Sequence, residues 1–134
     1  MKKETFIHRI QELAGIQERK RAEEATEAVL GTLCGRITRE EAKDLASQLP
    51  DGIDSLCQGN LLKELVRRVE GPKRLERDAF VSAVADKIHL EDKTEAARVT
   101  TAVFRTLKEQ ISQGEAEDVA SQLPQKLKVM WLES

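Results

Sequence analysis

The chain has 134 residues, enough for one ordinary domain with a real hydrophobic core. A net charge of −2 leaves no global field to recruit nucleic acid or an anionic membrane. A hydrophobic fraction of 40% with 34% charged residues fits a soluble helical class, and no apolar run reaches membrane-spanning length.

Residues 3–14 carry Phe6, Ile10 and Leu13 on one helical stripe, and Gly15 supplies a left-handed stop. The start Met1-Lys2-Lys3-Glu4-Thr5-Phe6 lacks the apolar core of a signal peptide, so the expected location is the cytoplasm. A long helix is predicted over 18–36, with Ala22, Ala25, Thr26, Val29, Leu30 and Leu33 inward and Ile37 just beyond. Gly31 and Gly35 fall in its last turns, at positions that do not call for positive φ.

Thr38 followed by Glu41 reads as a capping box. The hydroxyl accepts from the Glu41 N–H, and the Glu41 carboxylate reaches back to the Thr38 N–H. A short helix over 39–48 then buries Ala42, Leu45 and Leu49, leaving Asp44 and Gln48 on the opposite face. Pro50 makes a corner and starts another helix, to about Gln58, with Ile53 and Leu56 inward. Residues 61–70 form an amphipathic connecting helix, and Gly71-Pro72 breaks the chain.

The second half repeats this plan. Helices are predicted over 76–88 (Phe80, Val84, Ile88), 92–110 (Ala96, Val99, Val103, Phe104, Leu107), 113–122 and from Pro124 onward. Asp92 with Glu95 and Ser112 with Glu115 repeat the cap-then-Glu spacing. Aligned at an offset of 74, residues 6–57 and 80–131 match without a gap, and 16 of the 52 aligned positions are identical. The reading is an all-α fold of two tandem related four-helix units: 1–60, a connecting helix and Gly-Pro break at 61–75, and 76–134.

Glu41-Ala42-Lys43-Asp44-Leu45-Ala46-Ser47-Gln48-Leu49-Pro50 returns as Glu115-Ala116-Glu117-Asp118-Val119-Ala120-Ser121-Gln122-Leu123-Pro124. With the Phe6 and Phe80 helix starts and the Ala-rich long helices, this block resembles the bacterial family known as domain of unknown function 2267, over nearly the whole chain. The resemblance implies paired helical units and brings no catalytic residue. Lys87 and His89 depart from Leu13 and Gly15 at the equivalent places, and His89 is expected to serve as a helix cap.

No residue set offers a catalytic or cofactor site. Glu41, Asp44, Glu115 and Asp118 are acidic candidates, but two have capping duties and two suit the positive end of a helix. His8 and His89 have no second ligand at zinc spacing, so neither a metal nor a cofactor is expected. Cys34 and Cys57 lack metal or redox spacing and align with Lys108 and Trp131. Reduced structural thiols are expected.

Two surfaces remain for recognition. Asp44, Gln48, Asp118 and Gln122 recur although no cap needs them; Gln could bind exposed backbone at the Pro corner and Asp a neighbouring cation, or the four could form a polar binding face. Lys63, Arg67, Arg68, Lys73, Arg74 and Arg77 form a basic segment able to meet phosphates, though it has no aromatic stacking group. The expected function is a non-enzymatic protein-interaction or regulatory domain, with a protein partner or self-association and no membrane. The alternatives are a nucleic-acid-associated regulator using 60–77 and an enzyme with a cleft between the units.

Overall fold

Local signals terminate the helices where the sequence places them. Gly15 sits at φ 69° and His89 at φ 56°, each turning the chain left-handed after the first helix of its half. The computed structural model describes residues 1–57 and 76–134. Among them are seven α-helices, one 3₁₀ turn and no strand. They are α1 (Lys3–Ala14), α2 (Arg19–Cys34), α3 (Arg39–Ser47), the 3₁₀ turn Asp54–Cys57, α4 (Arg77–Lys87), α5 (Lys93–Gln110), α6 (Gln113–Ser121) and α7 (Gln125–Glu133). The expected connecting helix over 61–70, the Gly71-Pro72 break, and Lys63, Arg67, Arg68, Lys73 and Arg74 lie outside the described residues.

The two halves interlock rather than stack. α1 packs on α2 and also on α5; α4 packs on α5 and also on α2. The long helices α2 and α5 meet between them, and α3 lies against α6. A bidentate pair from Arg9 to Glu109, at 2.9 Å on both arms, fastens α1 to α5. The shared core contains Phe6, Ile10, Val29, Leu30 and Leu33 from the first half and Phe80, Val84, Val103, Phe104, Leu107 and Trp131 from the second. Each such fully buried side chain contributes about 1.5–3 kcal/mol by leaving water.

Polar groups inside α2 and α5 are satisfied within the helix. Thr26 and Thr32 donate to the carbonyls of Ala22 and Ala28, and Thr100 and Thr106 to those of Ala96 and Ala102, at 2.7–2.8 Å. A β-branched hydroxyl can thereby lie in an apolar stripe without an orphan donor. These four bonds recur at the same offset of 74 that relates the sequence matches.

Two expectations are corrected. The segment from Pro50 does not form a helix within the described residues, but turns at Gly52 and makes only the 3₁₀ turn. Gly52 adopts φ 91°, which breaks the right-handed path, and the Lys3 side chain packs against its open face. The second half has Lys126 at that place, and α7 runs on as a regular helix.

The thiols are likewise not free. Cys34 and Cys57 form a disulfide, with Cα atoms 5.5 Å apart. The 3₁₀ turn folds back onto the end of α2, bringing together residues 23 positions apart. In the second half the aligned pair is Lys108 and Trp131, with the ammonium 6.0 Å from the indole centroid. The adjoining contact recurs in place but not in kind: the disulfide sulfur of Cys57 lies 3.6 Å from the Ala42 carbonyl oxygen without a proton to donate, whereas Trp131 Nε1 donates to the Ala116 carbonyl at 3.1 Å. Trp131 is thus core, edge-on to Phe104 at 5.1 Å, and Phe104 meets Phe80 at 5.5 Å.

Reduction should lower the unfolding free energy by about 3 kcal/mol, as expected for releasing a loop of this length. Denaturant unfolding with and without reductant measures this. Thiol titration of the native chain should find none before reduction and both cysteines after it.

Candidate functional site: the carboxylate seam between α3 and α6

The site begins with two N-caps. Thr38 Oγ1 accepts from the Glu41 N–H at 3.2 Å, and Ser112 Oγ from the Glu115 N–H at 3.1 Å. Each is half of a capping box. The reciprocal half, in which the Glu reaches back to the cap N–H, does not form. The Thr38 N–H donates instead to Gln122 Oε1 at 2.7 Å, and the Ser112 N–H to Gln48 Oε1 at 2.7 Å. Each half therefore completes the other's helix cap.

Further bonds brace this exchange. Gln122 Nε2 donates to Thr38 Oγ1 at 3.3 Å, and Gln110 Nε2 to the Gln48 carbonyl at 3.0 Å. Ser47 and Ser121 bond back to the carbonyls of Asp44 and Asp118, both at 2.6 Å. The glutamines expected to form part of a recognition face are thus used within the molecule. They bind backbone, but at the helix N-cap of the opposite half rather than at the Pro corner.

Released from capping, the two glutamates turn inward along the α3–α6 contact. Glu41 is 8% exposed and Glu115 6% exposed. Their Oε1 atoms are sealed from solvent and meet no N–H or hydroxyl donor, so a proton between the two carboxyl groups is what can satisfy them. Asp44 and Asp118 follow one turn later and are exposed. Oxygens of Glu41, Glu115 and Asp118 lie within 4.8 Å of one another. No ion pair to any of these four carboxylates forms among the described residues.

Burial pushes the Glu115 carboxyl up to about 8, reinforced by its hydrogen bond to Glu41 and by the charges of Glu41, Asp44 and Asp118. Near neutrality the pair therefore holds a proton between two carboxyl groups.

The remaining residues singled out by sequence lie apart from this seam. Arg77 opens α4 and pairs with Asp78 at 3.2 Å. His8 bonds Glu12 on the exposed side of α1 at 2.9 Å. Sequence reading missed the inward pairing of Glu41 with Glu115, because a local capping box explained both residues. A signal was available: Gln recurs seven residues after each Glu although no local cap requires it.

A groove of about 320 Å³ opens elsewhere, where the turn between α1 and α2 faces the turn between α4 and α5. Ile16, Ile88, Leu90, Ala25 and Val99 line its apolar part. Arg21, Glu24, Glu95 and Arg98 also line it, with Arg21 aligned on Glu95 and Glu24 on Arg98 at the same offset. It contains none of the four seam carboxylates.

The architecture defines an all-helical protein whose two halves cap one another across an acidic seam. The chain belongs to the family described as uncharacterized conserved protein (DUF2267), whose sequence profile matches residues 3–130. No curated protein matches the chain significantly. No described helix is long and apolar enough to cross a membrane.

Gln48→Ala and Gln122→Ala should each cost about 1–2 kcal/mol, the range for losing a helix cap. Chemical denaturation of the two single variants checks this.

The carboxyl pair makes stability pH-dependent. Glu115 has a folded value above its unfolded one, so its contribution is complete below about 4.5 and fades as pH rises through about 8. In a chelator-containing buffer, unfolding free energy should fall by about 2 kcal/mol from pH 5 to pH 8.5. Glu115→Gln should flatten that slope; an unchanged slope would place the titration elsewhere.

Proposed function

We propose that the chain is a non-enzymatic helical interaction or regulatory domain whose partner is a protein segment. The groove between the α1–α2 and α4–α5 turns carries this reading. Its apolar part offers area for burial, and its lining carries both signs of charge, Arg21 and Arg98 with Glu18, Glu24 and Glu95. Mixed charge suits a polypeptide with both basic and acidic side chains. The carboxylates of Glu18, Glu24 and Glu95 oppose a phosphate backbone at the same place. The acidic residues that could have served acid–base chemistry lie outside the groove, which weighs against an enzyme working there.

Ile16→Glu and Leu90→Glu test the reading, since both side chains are partly exposed and line the groove. Wild-type chain, immobilised and exposed to native-host lysate, should retain a protein partner after nuclease treatment. Each variant should fold normally by circular dichroism and bind that partner at least about tenfold more weakly. Capture that disappears with nuclease, or that both variants leave intact, would overturn the proposal.

A further inference from the structure

We infer that the hollow between the starts of α4 and α5 is a docking site for a carboxylate side chain presented by a protein partner. The hollow shares no residue with the groove between the helix turns, so this inference stands apart from the groove reading.

The first half shows what the site takes. α1 starts at Lys3 and α4 at Arg77, and α2 starts at Arg19 and α5 at Lys93, both pairs at the offset of 74 that relates the halves. In the first half the Glu23 carboxylate joins the two cations. Its Oε1 meets Lys3 Nζ at 2.9 Å, and its Oε2 meets the Arg19 guanidinium at 3.2 Å. Glu4 brings a second carboxylate to Arg19 at 2.9 Å. The second half keeps both cations, as Arg77 and Lys93, but has Ala97 where Glu23 stands. A methyl group cannot bridge them. Asp78, aligned on Glu4 and one carbon shorter, pairs with Arg77 at 3.2 Å.

Side-chain volume follows the same difference. Val81, Ser82, Lys93 and Thr94 stand in place of Ile7, His8, Arg19 and Lys20, and of the lining residues only Arg77 is larger than its counterpart. The space so released is an open hollow of about 360 Å³. Buried Val81 and half-buried Ala97 supply its apolar part, and the Ser82 and Thr94 hydroxyls add donors beside the two cations.

Charge selects among anions. Arg77 and Lys93 against Asp78 leave one net positive charge, which matches a carboxylate and falls short of a phosphate dianion. The Thr94 and Glu95 amides are already taken by Asp92, so side chains rather than the end of α5 carry the recognition. The apolar part gives the aliphatic stem of a glutamate or aspartate a surface to cover, which favours a side chain over a free ion. The partner's carboxylate thereby takes in trans the place that Glu23 takes in cis.

The test is a nuclear magnetic resonance titration of the isotope-labelled full chain at neutral pH and constant ionic strength. The probes are a capped peptide with one glutamate flanked by leucines, the same peptide with glutamine, and inorganic phosphate. Saturable shifts of the Ser82, Thr94 and Ala97 amides are expected with the glutamate peptide, half-complete below about 5 mM, as suits one carboxylate held by two charge-assisted hydrogen bonds. The glutamine peptide should bind at least about tenfold more weakly. Ala97→Glu returns the first half's carboxylate to the hollow. It should fold normally by circular dichroism and weaken the glutamate peptide about tenfold or more by filling the site from within. Lys93→Gln changes an exposed side chain and should weaken it about fivefold or more. Failure of the glutamate peptide to saturate, or equal binding of the glutamine peptide, would overturn the inference. So would phosphate binding more tightly than the glutamate peptide, or binding that both variants leave unchanged.

Discussion

Two glutamine side chains hold the architecture in register. Gln122 Oε1 accepts the Thr38 N–H, and Gln48 Oε1 accepts the Ser112 N–H, each at 2.7 Å. A helix N-terminus leaves backbone donors that its own first turn cannot satisfy. Local capping would meet that need and leave the halves independent. Here each half meets it for the other, so the packing of α3 on α6 and the capping of both helices are one structural condition. The apolar core supplies most of the stabilisation, but it is less directional than these bonds.

The acidic seam follows from the same exchange. Once glutamine occupies the cap N–H, the glutamate that would ordinarily use it is free to turn elsewhere. Glu41 and Glu115 turn toward each other. Two buried carboxylates of like charge are costly, and the cost falls when one of them stays protonated. The upward displacement of Glu115 expresses that balance. A structural device for joining two helices thus produces a group that titrates near neutral pH, beside two exposed aspartates. Two carboxyl groups buried against each other make this seam chemically distinct from an ordinary helix–helix contact.

Where the halves differ, different chemistry occupies the same place. Cys34 and Cys57 are covalently joined, whereas Lys108 and Trp131 meet as a cation over an aromatic face. Both pairings tie a later segment of a half to its long helix, but only Trp131 places a hydrogen-bond donor on the carbonyl there, that of Ala116. Burial pushes the Lys108 ammonium below its ordinary range, with Arg105 adding repulsion. The first half, with Gly52 and a short turn, has no bulky aromatic there. The second has a full helix carrying Trp131 into the ring cluster of Phe80 and Phe104.

The sequence by itself determined the all-helical class, the helix starts at Thr38, Asp92 and Ser112, the left-handed stops at Gly15 and His89, and the family. These depend on interactions a few residues long: a hydroxyl and the amide three positions on, a periodic apolar face, or a residue tolerant of positive φ. Tertiary structure alone decided what Gln48, Gln122, Glu41 and Glu115 do, and that Cys34 meets Cys57. Their partners lie 64 and 84 residues away for the glutamines and 23 away for the thiols. Local spacing assigned Glu41 and Glu115 a satisfactory capping role, so nothing within a helical turn indicated another. Only the placement of α3 against α6 brings the opposite half's glutamine to the cap and sends the glutamates into the seam.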